Sequence, residues 1–235
     1  MTANEILIEL EKLGDPQTKK TLFKHGAREP FFGVKVADLK KILKKTKKNH
    51  ELSLALYRTG NSDAMYLAGL MADEHRITEA QLDDWIDKAY WYYLSDYAVP
   101  WVAAETHFGF DLGMKWIQSE KERIASAGWA TLAYYAGVNQ DEDLDIKTYN
   151  LLLDKVVNEI HHSQNRVRLA MNGFVIAIGT FIKDLTDKSN EVAHKIGKIE
   201  VEMFGTACKV PLATEYINKA IEKGQIGKKR KTARC

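Results

Sequence analysis

"VADLKKILKKTKK", residues 36–48, decides the fold class. Val36, Leu39, Ile42 and Leu43 recur at three- and four-residue spacing, so on a helix they share one face. Lys40, Lys41, Lys44, Lys45, Lys47 and Lys48 occupy the rest. The same period continues on both sides. "NEILIELEKLG" (4–14) puts Ile6, Leu7, Leu10 and Leu13 on one stripe. "GDPQTKKTLFKHG" (14–26) restarts with Asp15 as cap and Pro16 in the first helical position. Helical segments then run through 50–59, 61–72, 78–90, 97–106, 109–118, 120–137, 143–161, 164–181 and 184–196. "PLATEYINKAIEKG" (211–224) opens on Pro and closes on Gly. "IEVEMF" (199–204) alternates briefly, but one short strand makes no sheet. The expected class is all-α.

The helices recur as pairs at intervals of roughly 35–45 residues, the range of HEAT and armadillo units. Such pairs stack into an α-α superhelix with a concave face suited to long ligands. A compact helical bundle has the same periodicity. The chain reads as one helical-repeat domain, 1–224, followed by a basic tail, 225–235.

Composition excludes several classes. With 34 Lys and Arg against 32 Asp and Glu, bulk charge names no partner. Cys208 and Cys235 are too few for a disulfide framework, which points to a reducing cytoplasm. The N-terminus mixes acids into its apolar pattern, unlike a signal peptide, and "GFVIAIGTFI" (173–182) is about half a membrane span, so no membrane association is expected. There is no GxxxxGK[ST] or GxGxxG and hence no expected nucleotide cofactor. His161 and His162 are adjacent and cannot share a helix face, so no metal is expected and no cofactor of any kind. Cys208 in "GTACKVP" reads as a small buried cysteine, although Lys209 beside it leaves a reactive thiol conceivable.

Positive charge is clustered, in "KKTLFKHGAR" (19–28), "KKILKKTKK" (40–48), "NRVRLAMNG" (165–173) and the tail "GKKRKTARC" (227–235). Singly, each is an ordinary solvated face; together they outline a one-sided footprint. Five of the tail's nine residues are Lys or Arg, suiting either a flexible tracker of phosphates or a disordered soluble end. The other singular stretch is "YWYYLSDYAVPW" (90–101), six aromatics around Asp96. Ser95 or Asp96 capping a helix that begins near Tyr97 is the commoner use of such residues. Alternatively the rings and the carboxylate line a pocket for a cation. Tyr92 then lies one turn below Asp96, and Pro100 leaves the Asp96 carbonyl without its helical donor.

Four stretches, "FFGVKVADLKKILKK", "YWYYLSDYAVP", "NRVRLAMNGFVIAIG" and "GTACKVPLATEYINKAIEKGQIGKKRKTARC", resemble the HEAT-like-repeat DNA alkylation repair family, whose founding members are bacterial alkylpurine DNA glycosylases. The resemblance covers nearly the whole chain. It implies a stack of helix pairs with a basic concave groove for duplex DNA. In active members an Asp flanked by tryptophans faces an alkylated, cationic purine and stabilises the oxocarbenium-like sugar.

Asp96 falls on that catalytic Asp. The family's tryptophan four residues earlier is Tyr92 here, with Trp91 adjacent, and a second is Phe174. The backbone-contacting arginine falls near Ser126, with Arg123 one turn away as its substitute. The expected lesion-site aromatics are therefore Trp91, Tyr92 and Phe174. The expected DNA contacts are Arg123, Arg166, Arg168, Lys44, Lys45, Lys228, Lys229, Arg230 and Lys231.

Tyr or Phe for Trp weakens cation–π attraction, and a lost arginine clamp removes a strong phosphate contact. The resemblance thus implies a monomeric, cytoplasmic and nucleoid-associated protein. It would bind damaged, distorted or branched duplex DNA with glycosylase activity weak or absent. Alternatives are an active N-glycosylase releasing N3- and N7-alkylated purines through Asp96, and a helical-repeat scaffold for proteins.

Overall fold

The computed structural model describes residues 1–203 and 208–234, and among these it is all-α. The helices are α1 (Ala3–Leu13), α2 (Pro16–Lys24), α3 (Val36–Thr46), α4 (His50–Arg58), α5 (Ser62–Met71), α6 (Glu79–Lys88), α7 (Val99–Ala104), α8 (Gly109–Trp116), α9 (Glu122–Val138), α10 (Ile146–Glu159), α11 (Asn165–Phe181), α12 (Thr186–Ile196) and α13 (Ala213–Glu222). Residues 199–203 form no strand; Phe204 and Cys235 lie outside the described residues.

Starts are written in the sequence. Thr2 with Glu5 and Thr78 with Gln81 form capping boxes, and Asp15, Asn49, Asn61 and Asp145 each accept a backbone N–H of the helix they open. Successive helices pack in pairs, α4 on α5 and α8 on α9, while α5, α7, α9, α11 and α13 stack side by side as the inner row of a superhelix. Every residue of α5 is buried. Its Asp63 carboxylate accepts N–H groups from Phe32, Gly33 and Val34 at 2.6, 3.1 and 3.0 Å, pinning the "FFGV" loop to the stack. Gly33 sits at φ 81°, and a Cβ there would stand 2.6 Å from the Lys19 backbone, so no other residue fits the loop.

The "YWYYLSDYAVPW" stretch is not a cap. Tyr93–Ala98 is a π-helical turn running directly into α7, and the Asp96 backbone is helical. Pro100 does leave the Asp96 carbonyl open, and the Tyr134 hydroxyl donates to it at 3.4 Å.

The basic tail is neither loose nor disordered. Residues 225–234 run back along one rim, crossing the C-terminal ends of the inner helices in reverse order. Gly227 N–H is donated to Thr180 of α11 at 2.9 Å, and Arg230 N–H to Gly137 of α9 at 2.8 Å. Lys229 reaches the Ala136 carbonyl at 2.8 Å and Asp141 at 2.7 Å. Ala233 N–H goes to Glu105, just past α7, at 2.7 Å. Arg234 closes the path on the carbonyls of Leu70, in the last turn of α5, and of Ala72, its C-cap, at 3.3 and 2.7 Å. Helix C-termini present unpaired carbonyls and partial negative charge, and cations are their best partners.

Arg234, with a side chain only 7% exposed, also pairs with Glu74 at 3.0 Å and Glu105 at 3.1 Å. Burial alone would push the Glu74 carboxyl up. The Lys48 hydrogen bond and the charges of Arg234 and Lys48 outweigh it and hold the group below its ordinary 4.5. Arg234→Ala removes the cation shared by two part-buried acids, leaving Glu74 with Lys48 and Glu105 with the Ala233 N–H, and should lower unfolding free energy by about 2 kcal/mol in urea titrations. A depressed carboxyl pKa stabilises the fold fully above pH 4.5, and the contribution fades as pH falls through the folded value. The gap between wild type and Arg234→Ala should therefore narrow below that pH.

Candidate nucleic-acid interface

A groove of about 1520 Å³ runs along the inner row, from the end of α2 past the π-turn, α9 and α11 to α13 and the tail. Its floor is almost bare. Ala130, Ala133 and Gly137 of α9 and Ala170, Gly173 and Ala177 of α11 face it at helical spacing. A Cβ on Gly173 would meet nothing within 4 Å, so this glycine is open floor, not tight packing. The walls are basic. Among the described lining residues, Lys24, Arg123, Arg166, Lys209, Lys219, Lys223, Lys228, Lys229 and Arg230 face only two acids, Asp96 and Glu202. Against 34 cations and 32 acids overall, this one-sidedness is local and strong.

Asp96 borders the groove, 8% exposed, with both oxygens engaged. Oδ1 accepts from Ser126 at 2.8 Å and Ser95 at 3.0 Å. Oδ2 accepts from Arg166, through Nε at 3.1 Å and through a short contact with the terminal guanidinium nitrogen. The same guanidinium lies 4.3 Å from the centre of the Tyr92 ring. Burial pushes the Tyr92 phenol up to about 12 although Arg166 opposes it, and its oxygen is hydrogen-bonded to His25 Nδ1 at 2.9 Å. Burial also raises Tyr97, with the Asp96 charge adding to the effect.

Of the residues singled out from sequence, Asp96, Tyr92, Arg123, Arg166, Lys228, Lys229 and Arg230 border the groove. Their engagements differ. Lys229 is held inward on Asp141, Arg230 stacks over Phe181 at 4.9 Å, and Arg123 donates to the Ala89 carbonyl at the end of α6.

Other expectations are corrected. Phe174 is fully buried between Trp129 and Tyr149, because one residue turns a helix about 100°, and the groove position is Gly173 instead. Trp91 borders the groove beside Tyr92 but is only 4% exposed, with its indole N–H given to Ser62 at 2.8 Å, so it offers the groove little of its ring. Arg168, on the same helix as Arg166, does not border the groove and leaves its buried Nε unpaired among the described residues. Lys44 and Lys45 are exposed on α3 away from the groove, Lys45 paired with Glu9 at 2.7 Å, and Lys231 also lies outside it. Cys208 is exposed at the groove edge; it precedes α13 instead of packing under it.

Sequence reasoning missed Ser126 as a partner of Asp96, and with it Tyr97, Tyr134, Lys24, Lys209, Lys219 and Lys223. The last two carried a signal: they are four residues apart on one helix and share a face. Among the described residues no three His, Cys, Asp or Glu side chains converge as metal ligands, and no single helix is long and apolar enough to cross a membrane.

A profile of the DNA alkylation repair enzyme family matches residues 6–188. Two uncharacterized proteins, from Listeria innocua and Listeria monocytogenes, are each 32% identical over 226 residues, covering 94% of this chain and 97% of the relative. A solved structure, of a new family of proteins related to the HEAT-like repeat DNA glycosylases with affinity for branched DNA structures, is 39% identical. It covers 100% of both chains with a TM-score of 0.92.

The Asp96–Arg166 pair joins two groups whose side chains are 10% and 15% exposed, so removing either leaves a poorly solvated charge. Asp96→Asn and Arg166→Gln should each destabilise the fold by about 3 kcal/mol. The double variant should cost clearly less than their sum, and chemical denaturation of the four-protein cycle reads the coupling.

Proposed function

The chain belongs to the DNA alkylation repair enzyme family, and from that premise we propose that it binds branched duplex DNA along the basic groove and does not excise bases. Arg166 carries this reading. A cationic alkylpurine would need an aromatic face and a carboxylate, and Arg166 already occupies both. Its fixed positive charge repels a second cation, and the Asp96 lone pairs that would stabilise an oxocarbenium-like sugar are taken by three donors. The groove cations are unaffected by this closure, and phosphate binding needs only them. Affinity for branched DNA is taken over from the 39% identical neighbour, whose chain this one matches end to end. On this reading a single chain acts without a cofactor, in the cytoplasm.

Single-turnover incubation with a duplex carrying one 7-methylguanine should release base at the spontaneous rate, and a clear excess would restore the glycosylase reading. Binding to a three-way junction should weaken steeply with salt. Lys219→Ala with Lys223→Ala should reduce the slope of log K against log salt by about 2, roughly 0.9 for each lost phosphate contact. An unchanged slope would remove α13 from the interface.

A further inference from the structure

Among the described residues six large hydrophobic side chains remain exposed, and the two that border the groove are both aromatic: Phe23, 62% exposed, and Tyr216, 53% exposed. The four elsewhere, Met1, Ile8, Leu151 and Ile221, are aliphatic or thioether. A ring left in water forgoes the burial that normally makes it stabilising. Nothing in the fold requires that here. α2 buries none of its residues and is held through half-buried Leu22, while Phe23, about 100° further round the helix, borders the groove. On α13, Ala213 and Ile217 face the core and Tyr216 faces the groove.

Each ring shares its helix with an exposed lysine that also lines the groove. Lys24 follows Phe23 directly, and Lys219 lies one turn from Tyr216, both exposed. The arrangement recurs at an N-terminal and at the C-terminal helix of the stack, on elements that share no sequence. A lysine beside a ring fits a phosphate beside a base face. In a linear duplex every base-pair face is covered by its neighbour, and only edges and backbone are offered. At a branch point the arms end in open faces, and stacking on these is tolerant of sequence.

We propose that Phe23 and Tyr216 stack on the open base-pair faces at the branch point, and that this stacking sets the preference for branched over linear DNA. The inference rests on the DNA-binding reading above and assigns its specificity to two named side chains. The lysines hold any duplex; the rings recognise where it divides.

The test compares wild type, Phe23→Ala, Tyr216→Ala and the double variant by fluorescence anisotropy at one fixed salt concentration, on a three-way junction and on a linear duplex of the same arm sequence. Each single variant should bind the junction about tenfold more weakly, the value of one lost stacked base, with linear-duplex affinity within about twofold of wild type. Phe23→Trp should retain the preference. A 2-aminopurine placed beside the branch should change emission on wild-type binding and not on binding of the variant lacking its ring. Both rings are exposed, so unchanged melting curves will show that the variants fold. Equal losses on the two DNAs, or no loss on the junction, would overturn the proposal while leaving the basic groove as the interface. Failure of wild type to bind either DNA would overturn the functional reading itself, and needs no variant to detect.

Discussion

A carboxylate held 8% exposed must find partners within the protein, and the way Asp96 finds them fixes the centre of the molecule. Its partners come from three separate elements: Ser95 beside it on the π-turn, Ser126 on α9 and Arg166 on α11. Pro100 cannot return an N–H to the Asp96 carbonyl, and the Tyr134 hydroxyl on α9 fills the gap. The widened turn, the first half of α9 and the start of α11 are thus bound to one another through one acid. Their relative placement then sets which faces of α9 and α11 look into the groove.

The helices were legible because each is amphipathic and many carry their own start signal. Where the sequence predicts a helix over 164–181, Asn165–Phe181 forms, and 184–196 compares with Thr186–Ile196. The π-turn was not legible: rings, Ser and Asp before a proline fit a helix cap equally well by local chemistry. The Asp96–Arg166 pair was invisible for a different reason. Seventy residues separate the two groups, and only the stacking of α7, α9 and α11 brings them together. Phe174 shows the limit of transferring a role by position alone, since a displacement of one residue moves a side chain from groove to core.

The tail shows the same limit in electrostatic form. Its composition announces five cations but not what they face. The fold gathers the C-terminal ends of α5, α7, α9 and α11 on a single rim, and only then do Lys229 and Arg234 have carbonyls and acids to meet. Lys228 and Arg230, on either side of Lys229 in sequence, stay exposed at the groove. One segment therefore neutralises the helix ends and extends the basic wall at once, because its alternate residues point to different surroundings.

The bare floor constrains what this groove can recognise. Ala130, Ala133, Ala170, Gly173 and Ala177 carry no side-chain donor or acceptor, so this stretch of the described groove has little with which to read base edges. Asp96, a buried carboxylate bordering it, already has its hydrogen bonds filled by the protein. On the proposed reading, recognition is left to the walls, where lysines and arginines are indifferent to sequence and rings to the identity of a base stacked on them. A groove built in this way would distinguish nucleic acids by shape. That property suits a branched substrate and sits poorly with the search for a single modified base.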